Sequence, residues 1–153
     1  MDAYDELLEI LKDIDLMSQV RSLLGWDQEV LMPPKAATLR GEQLAWISRE
    51  SHRRKTSPRI GELLDELEEN SELNEIERAN VRLAREAYVK ATKLPTEFVS
   101  EMARHNSKAV ISWTEAREKN DFSIFRDDLA KSIDFARKKA DYLGYETLRY
   151  DAL

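Results

Sequence analysis

The sequence contains no cysteine among its 153 residues, and only four glycines and four prolines. The lack of cysteine excludes disulfides, iron–sulfur clusters, thiolate-bound zinc and cysteine nucleophiles. Glycine and proline are the residues that most often interrupt helices, so their scarcity predicts long helices. The four glycines are also not clustered, which argues against a phosphate-binding loop.

Long apolar runs and an excess of positive charge are also missing. No run approaches the ~20 apolar residues that a bilayer crossing needs. The amino terminus lacks the basic start and apolar stretch of a secretory signal. The formal net charge is −6, which disfavours nucleic acids and anionic membranes because both are negatively charged. We therefore expect a cytoplasmic protein that binds neither nucleic acid nor membrane.

Apolar residues instead recur at spacings of three and four along most of the chain, a pattern that predicts helix. Prolines, polar breaks and a possible interruption at Gly25 separate six helical segments, at about 4–24, 35–53, 58–69, 74–92, 96–119 and 123–143. No segment alternates apolar and polar residues as a strand would. Short connections favour antiparallel neighbours. Residues 1–153 are therefore predicted to form a single all-α domain, as a mostly antiparallel bundle or a layered helical array.

Local patterns sharpen the ends and faces of these helices. Met32 should lie outside regular helix because it precedes a proline. Asn74 and Glu77 match a capping box, and Gly144 stands where a helix often ends in glycine. The side chains expected to face inward on the last four helices are Ile60, Leu63, Leu64 and Leu67; Ile76, Leu83, Ala84, Ala87 and Tyr88; Phe98, Met102, Ala109 and Trp113; and Phe125, Leu129, Ile133, Ala136 and Ala140.

The two histidines, His52 and His105, do not form a metal-binding motif. Neither belongs to a His-Glu-x-x-His pattern, and neither has a glutamate three residues before it, as a helical di-metal site requires. A Gly-x-Ser-x-Gly nucleophile elbow is also absent. We expect neither histidine to bind a metal: His105 lies close to an apolar stripe and should be a buried, hydrogen-bonded residue or a surface residue, and the positive charges beside His52 disfavour a cation there. We expect no catalytic residue, no metal ligand and no cofactor site in this chain, which disfavours a small independent hydrolase.

One unusual string precedes a double proline, and it reads Trp26-Asp27-Gln28-Glu29-x-x-Met32-Pro33-Pro34. A buried indole N–H needs a hydrogen-bond partner, and Asp27 or Gln28 could supply one at a corner between two helices. This structural interpretation, which requires a buried Trp26, is favoured. The alternative is a surface that meets another domain or a substrate.

Together with later segments, this string resembles the amino-terminal region of the carboxypeptidase Taq family, the M32 metallocarboxypeptidases. The resemblance is collinear over essentially the whole chain, with smaller matches in residues 41–45, 56–64 and 150–153. The residues that carry it most clearly, called the signature residues below, are Trp26, Asp27, Gln28, Glu29, Met32, Pro33, Trp113, Arg117, Asn120, Asp121 and Phe122. We expect them to be structural or to meet another domain.

The resemblance implies a long, mostly helical enzyme that uses zinc or a similar divalent metal to release C-terminal amino acids from peptides. The family's metal-binding and substrate-binding residues lie downstream of the region matched here, so none is placed on this chain. The resemblance also implies that these helices shape or cover the substrate groove without being catalytic themselves. Their partner would be the remainder of the peptidase or, since family members are commonly homodimers, a second copy. The alternative is a free-standing helical interaction module from a truncated or split carboxypeptidase gene.

Overall fold

A computed structural model describes residues 2–153, which contain six α-helices, two short 3₁₀ turns and no strand. The helices are α1 (Ala3–Val30), α2 (Ala37–Lys55), α3 (Pro58–Glu68), α4 (Glu75–Thr92), α5 (Thr96–Lys119) and α6 (Ser123–Leu143), and the 3₁₀ turns are Pro34–Ala36 and Arg149–Ala152. None of these helices combines the length and apolar composition that a membrane crossing needs. The prediction of an all-α fold is confirmed.

Contacts between side chains show the relative direction of neighbouring helices. Arg104 on α5 pairs with Glu42 near the start of α2, at 2.6 Å. Thr96, the first residue of α5, contacts His52 near the end of α2, at 3.0 Å. The two helices therefore run antiparallel. The other antiparallel pairs are α1–α2 (Asp27 with Arg40, Asp13 with Arg54), α3–α4 (Glu68 with Arg85, Gly61 beside Tyr88) and α5–α6 (Lys108 with Asp128, Phe98 with Tyr142).

One apolar cluster lies where α1, α3 and α4 meet, and we call it the core cluster. Its buried members are Leu7, Ile14, Ile60, Leu63, Leu64, Leu67, Leu73 and Val81. All four apolar residues predicted to face inward on α3 belong to it. Burying one such leucine fully is favourable by roughly 1.5–3 kcal/mol. The core cluster therefore fixes α3 and the amino-terminal half of α1.

Helix ends follow the local sequence closely. The Asn74 carboxamide oxygen accepts hydrogen bonds from the backbone N–H groups of Ile76 and Glu77, at 2.9 and 3.0 Å. The Glu77 carboxylate accepts one from the Asn74 N–H in return, at 2.9 Å, so the predicted capping box is present. Gly144 ends α6 with a φ of 82°, which glycine reaches without a Cβ clash.

The first helix is longer than predicted, because α1 continues past Leu24 to Val30. Gly25 has a negative φ and lies inside the helix without interrupting it. The string that begins at Trp26 therefore occupies the last turns of α1 and not a corner. The chain leaves the helix before the prolines, and Met32 lies outside it as expected.

The predicted inward face of α4 is only partly correct. Ile76, Leu83 and Ala87 are exposed, Ala84 and Tyr88 are partly buried, and Val81 is the one fully buried residue of this helix. The helix has apolar residues on more than one side, and α3 covers one of them. Periodicity alone therefore indicated the wrong side for part of the helix.

The faces of α5 and α6 also differ in part from expectation. Trp113, placed on the inward face of α5, is half exposed, and Ile133 on α6 is exposed. Phe135 and Asp128 are buried instead, because they point at the side of α5 that carries His105 and Lys108. Contact with one particular neighbour, and not average periodicity, selects the buried face.

Candidate functional site

The signature residue Asp27 is held by a side chain that sequence reasoning did not single out. Its carboxylate accepts a hydrogen bond from the guanidinium of Arg40 on α2, and the same guanidinium donates to the carbonyl of Leu24. The Arg40 side chain is only 11% exposed. Hydrogen bonds between charged groups are stronger than those between neutral ones. The pair therefore fixes the last turns of α1 against α2.

Gln28 ties the same turns of α1 to α5. Its amide N–H donates to the backbone carbonyl of Ser107 at 3.1 Å, and the Ser107 hydroxyl donates back to the amide oxygen at 2.6 Å. Gln28 and Ser107 are 79 positions apart. No local pattern links residues at that separation, and sequence reasoning therefore missed both Ser107 and Arg40.

Trp26 is exposed, and the prediction of a buried indole at a helix corner is wrong. Its side chain keeps 54% of its surface accessible, since α1 continues through this position and carries the ring outward. The two groups proposed as its partners, on Asp27 and Gln28, bind Arg40 and Ser107 instead. An exposed indole N–H can bond to water, so it needs neither of them.

Beyond Gln28, α1 and α5 leave a groove of about 590 Å³, which we call the acidic groove. Glu29, Glu115 and Glu118 line it, and no lysine or arginine does. Its full lining is Gln28, Glu29, Met32, Pro34, Ala37, Val110, Ile111, Trp113, Thr114, Glu115 and Glu118. Four signature residues from two distant segments therefore meet in its wall.

A second groove, of about 480 Å³, lies at the turn between α5 and α6, and we call it the corner groove. Trp113 lines both grooves. The corner groove is lined by Trp113, Ala116, Arg117, Asn120, Asp121, Phe122 and Phe125. Eight of the eleven signature residues thus line two adjacent grooves, while Trp26, Asp27 and Pro33 lie outside both.

Two signature residues shape the turn beneath the corner groove. Asn120 ends α5 in the left-handed conformation, with a φ of 49°. The Asp121 carboxylate accepts a hydrogen bond from the backbone N–H of Ser123 at 2.9 Å. Hydrogen bonds from the hydroxyl and the backbone N–H of Ser123 lower the pKa of Asp121. These contacts fix the turn, and the side chains of Arg117 and Phe122 are exposed beside it.

His52 is a buried structural residue. Its Nε2 lies 3.0 Å from the carbonyl oxygen of Ala91, and its Nδ1 lies 3.0 Å from the hydroxyl oxygen of Thr96. The carbonyl accepts only, so Nε2 carries the proton and Nδ1 accepts from the hydroxyl. Burial lowers the pKa of His52. The neutral ring therefore joins the end of α2 to the α4–α5 connection.

His105 has a similar role between α5 and α6. Its Nε2 lies 2.9 Å from the Ser132 hydroxyl oxygen, and its ring stacks on Phe135 with centroids 5.2 Å apart. Ser132 donates its own proton to the backbone carbonyl of Asp128 at 2.9 Å, so it is not arranged as a nucleophile facing a base. Within residues 2–153, no three side chains of the metal-binding types come together. These residues do not fit a zinc centre.

Comparisons with known proteins identify the family to which the chain belongs. The family model described as carboxypeptidase Taq (M32) metallopeptidase matches residues 6–153. The chain is 36% identical over 148 residues to thermostable carboxypeptidase 1 of Pyrococcus furiosus, covering 97% of this chain and 30% of that protein. It is 34% identical over 149 residues to carboxypeptidase 1 of Bacillus subtilis, with the same two coverages.

Solved structures give the same result for the backbone. The chain matches the crystal structure of BsuCP with a TM-score of 0.96 and 32% identity, covering all of this chain and 31% of that one. The matched family model places this all-helical chain in one class of metallopeptidases. The chain belongs to the carboxypeptidase Taq (M32) family and corresponds to its amino-terminal region. It spans about 30% of the length of the curated relatives it matches.

Proposed function

We propose that this chain is the amino-terminal helical region of a cytoplasmic, zinc-type metallocarboxypeptidase, which releases C-terminal amino acids from peptides. In this proposal, the chain shapes or covers the substrate groove of the complete enzyme and is not catalytic by itself. The observation that carries it is the convergence of two distant signature segments on two adjacent grooves that share Trp113. Residues that define a family and also line an open surface are expected to meet a partner or a ligand.

The two histidines support a non-catalytic role. His52 uses both ring nitrogens in hydrogen bonds within the chain. His105 uses one nitrogen and stacks its ring face on Phe135. Neither is arranged to bind zinc with carboxylate neighbours, as a catalytic site requires. The zinc of the complete enzyme would therefore be held by residues outside this chain.

An exposed apolar face on α1 supports contact with further protein. Leu16, Val20, Leu23 and Val30 are each at least 50% exposed. Val20, Leu23 and Val30 follow Leu16 by four, seven and fourteen positions, and this spacing places all four residues on one side of the helix. Monomeric proteins seldom leave large apolar surfaces uncovered. This face supports packing against the remainder of the peptidase or against a second copy.

The mass of the native gene product tests whether a catalytic remainder exists. A mass several times the 17.8 kDa of this chain is expected, because the relatives it matches are about three times longer. A native mass near 17.8 kDa would contradict the proposal and favour the free-standing interaction module.

Activity of the 153-residue chain tests the non-catalytic assignment. We expect no release of C-terminal amino acids from peptides and no stoichiometric binding of zinc. Peptide hydrolysis by the purified chain that a chelator abolishes would contradict it. The control is the complete gene product under the same conditions.

Two tryptophans of similar exposure allow a matched test of the grooves in the complete enzyme. Trp113 is 50% exposed and lines both grooves, whereas Trp46 is 55% exposed and lines neither. We expect Trp113→Ala to lower kcat/KM for peptides or the melting temperature, and Trp46→Ala to change neither. Equal effects of the two substitutions would mean that the grooves have no special role.

A further inference from the structure

A pocket of about 200 Å³ lies where α1, α2 and α5 meet, away from both signature grooves. Its charged lining residues are Arg21 on α1 and Lys55 on α2, and no carboxylate lines it. This is unusual for a chain with a formal net charge of −6. Within residues 2–153, neither cation forms an ion pair, so both positive charges are open to a ligand.

The neutral polar groups of the pocket are open as well. Ser18, Ser48, Ser51 and Asn106 line it and are each only partly buried or exposed. Their side chains form no hydrogen bond to another group in residues 2–153. Hydroxyl and amide groups can each donate a hydrogen bond to an anion.

His52 contributes to the wall of this pocket but not to binding. Its ring nitrogens are used by Ala91 and Thr96, and this fixes the end of α2 that carries Ser51 and Lys55. The carboxyl end of α2 and the amino-terminal end of α5 both border the pocket, so their opposite partial charges largely offset each other. The net charge of the site therefore comes from Arg21 and Lys55.

We propose that this pocket binds a small tetrahedral oxyanion of the phosphate or sulfate type. The guanidinium of Arg21 and the ammonium of Lys55 would neutralise it, and Ser18, Ser48, Ser51 and Asn106 would donate hydrogen bonds to its oxygens. Charged donors together with several hydroxyl donors match an anion that has several acceptor oxygens. Bound there, the anion joins three helices of the bundle, including the turns of α1 that lead to the signature string.

The test is an NMR titration of the folded 153-residue chain with inorganic phosphate at constant ionic strength. We expect saturable shifts of the amide signals of Arg21, Ser51 and Asn106. Arg21→Gln and Lys55→Gln are each expected to weaken phosphate binding about tenfold, since each removes a charged hydrogen-bond donor. Arg53→Gln is the matched control, because it removes one positive charge from the same helix at a residue that does not line the pocket.

Two further comparisons make the result decisive. A phosphomonoester that binds more tightly than inorganic phosphate would assign the site to a phosphorylated compound, and equal affinity would assign it to the free anion. Circular dichroism checks the folding of each variant, and Ser48→Ala gives an uncharged test of the same pocket. Shifts that do not saturate, or an equal loss of binding in Arg53→Gln and Arg21→Gln, would overturn the proposal.

Discussion

The core cluster and the signature grooves both contain large apolar side chains carried by regular helices, yet these side chains differ in exposure. Leu63 in the core cluster is 0% exposed, whereas Trp113 between the grooves is 50% exposed. The core cluster lies between three helices, while the grooves face outward from α5. Helical periodicity identifies an apolar face, but only a packed neighbour buries it.

The contrast also runs along a single helix. In its first half, α1 buries Leu7 and Ile14 against α3 and α4. In its second half, the apolar residues Val20 and Leu23 are exposed on another side, and polar contacts through Asp27 and Gln28 hold the helix in place. One end of α1 is thus fixed by burial and the other by directed hydrogen bonds.

A pair of leucine substitutions tests the comparison with the largest expected effect. Leu63→Ala should destabilise the chain by about 2–5 kcal/mol, the usual cost of emptying a buried leucine site. Leu23→Ala, at a position that is 63% exposed, should cost less than about 0.5 kcal/mol. Urea unfolding measures both. Similar losses at the two positions would mean that the exposed face of α1 is covered in solution.

Replacing Arg40 tests whether directed hydrogen bonds hold the second half of α1. Arg40→Gln removes the bonds to Asp27 and Leu24 and should cost about 1.5–3 kcal/mol, as expected for hydrogen bonds to a charged group. Arg53, 60% exposed and paired with Glu50 on the same helix, is the control, and Arg53→Gln should cost less than about 0.5 kcal/mol. An Arg40 loss as small as the control would show that packing alone positions this part of α1.

The pH dependence of stability tests the buried ring that links α2 to the α4–α5 connection. Burial holds the pKa of His52 below its ordinary value of 6.5, so the unfolded chain takes up a proton at a higher pH than the folded chain does. The stability from neutral His52 is therefore complete above about pH 6.5 and is lost as the pH falls through the lowered pKa. Urea unfolding between about pH 7.5 and pH 5 should show this loss.

The substitution His52→Gln separates this effect from other titrations. Glutamine can donate to Ala91 and accept from Thr96 but does not titrate, so the variant should lose less stability on acidification than the wild-type chain. Burial also lowers the pKa of His105, so the free energy of unfolding of the variant should still fall in part as the pH is lowered. If the free energy of unfolding depends on pH identically in the variant and the wild type, His52 does not contribute to the loss of stability in acid.

The smallest effect on stability is expected at Trp26, and it tests whether an exposed aromatic side chain of α1 contributes little to the free energy of unfolding. Trp26→Ala should cost less than about 1 kcal/mol in the 153-residue chain, because the indole is exposed. Thermal or urea unfolding measures this directly. A loss of about 3–5 kcal/mol, typical of a buried aromatic site, would instead place the ring in a packed environment.

Local structure was the part of this protein most open to prediction. The limits of α5 and α6, the Asn74–Glu77 capping box and the inward face of α3 all follow from side chains close in sequence. The end of α1 was predicted too early because Gly25 is compatible with helix as well as with a break. The residues on both sides of Gly25 are helical, and Gly25 adopts the helical conformation with them.

The sequence indicated which residues belong to the candidate site, but it did not indicate that they line neighbouring grooves. The signature residues stood out in the sequence as two separate strings. Their convergence depends on the pairing of Gln28 with Ser107, and no short-range pattern encodes a contact at that separation. The outward position of Trp26 was missed for the same reason, since its burial depends on what packs against α1.

The sequence by itself determined the all-α class, most helix limits and the family, because propensities, caps and motifs act over a few residues. Only the tertiary structure decided which apolar faces are buried, which charged side chains meet, and that two distant strings line neighbouring grooves. Burial and ion pairing are properties of neighbours in space. A helix with apolar residues on more than one side offers several faces, and the packed partner selects among them.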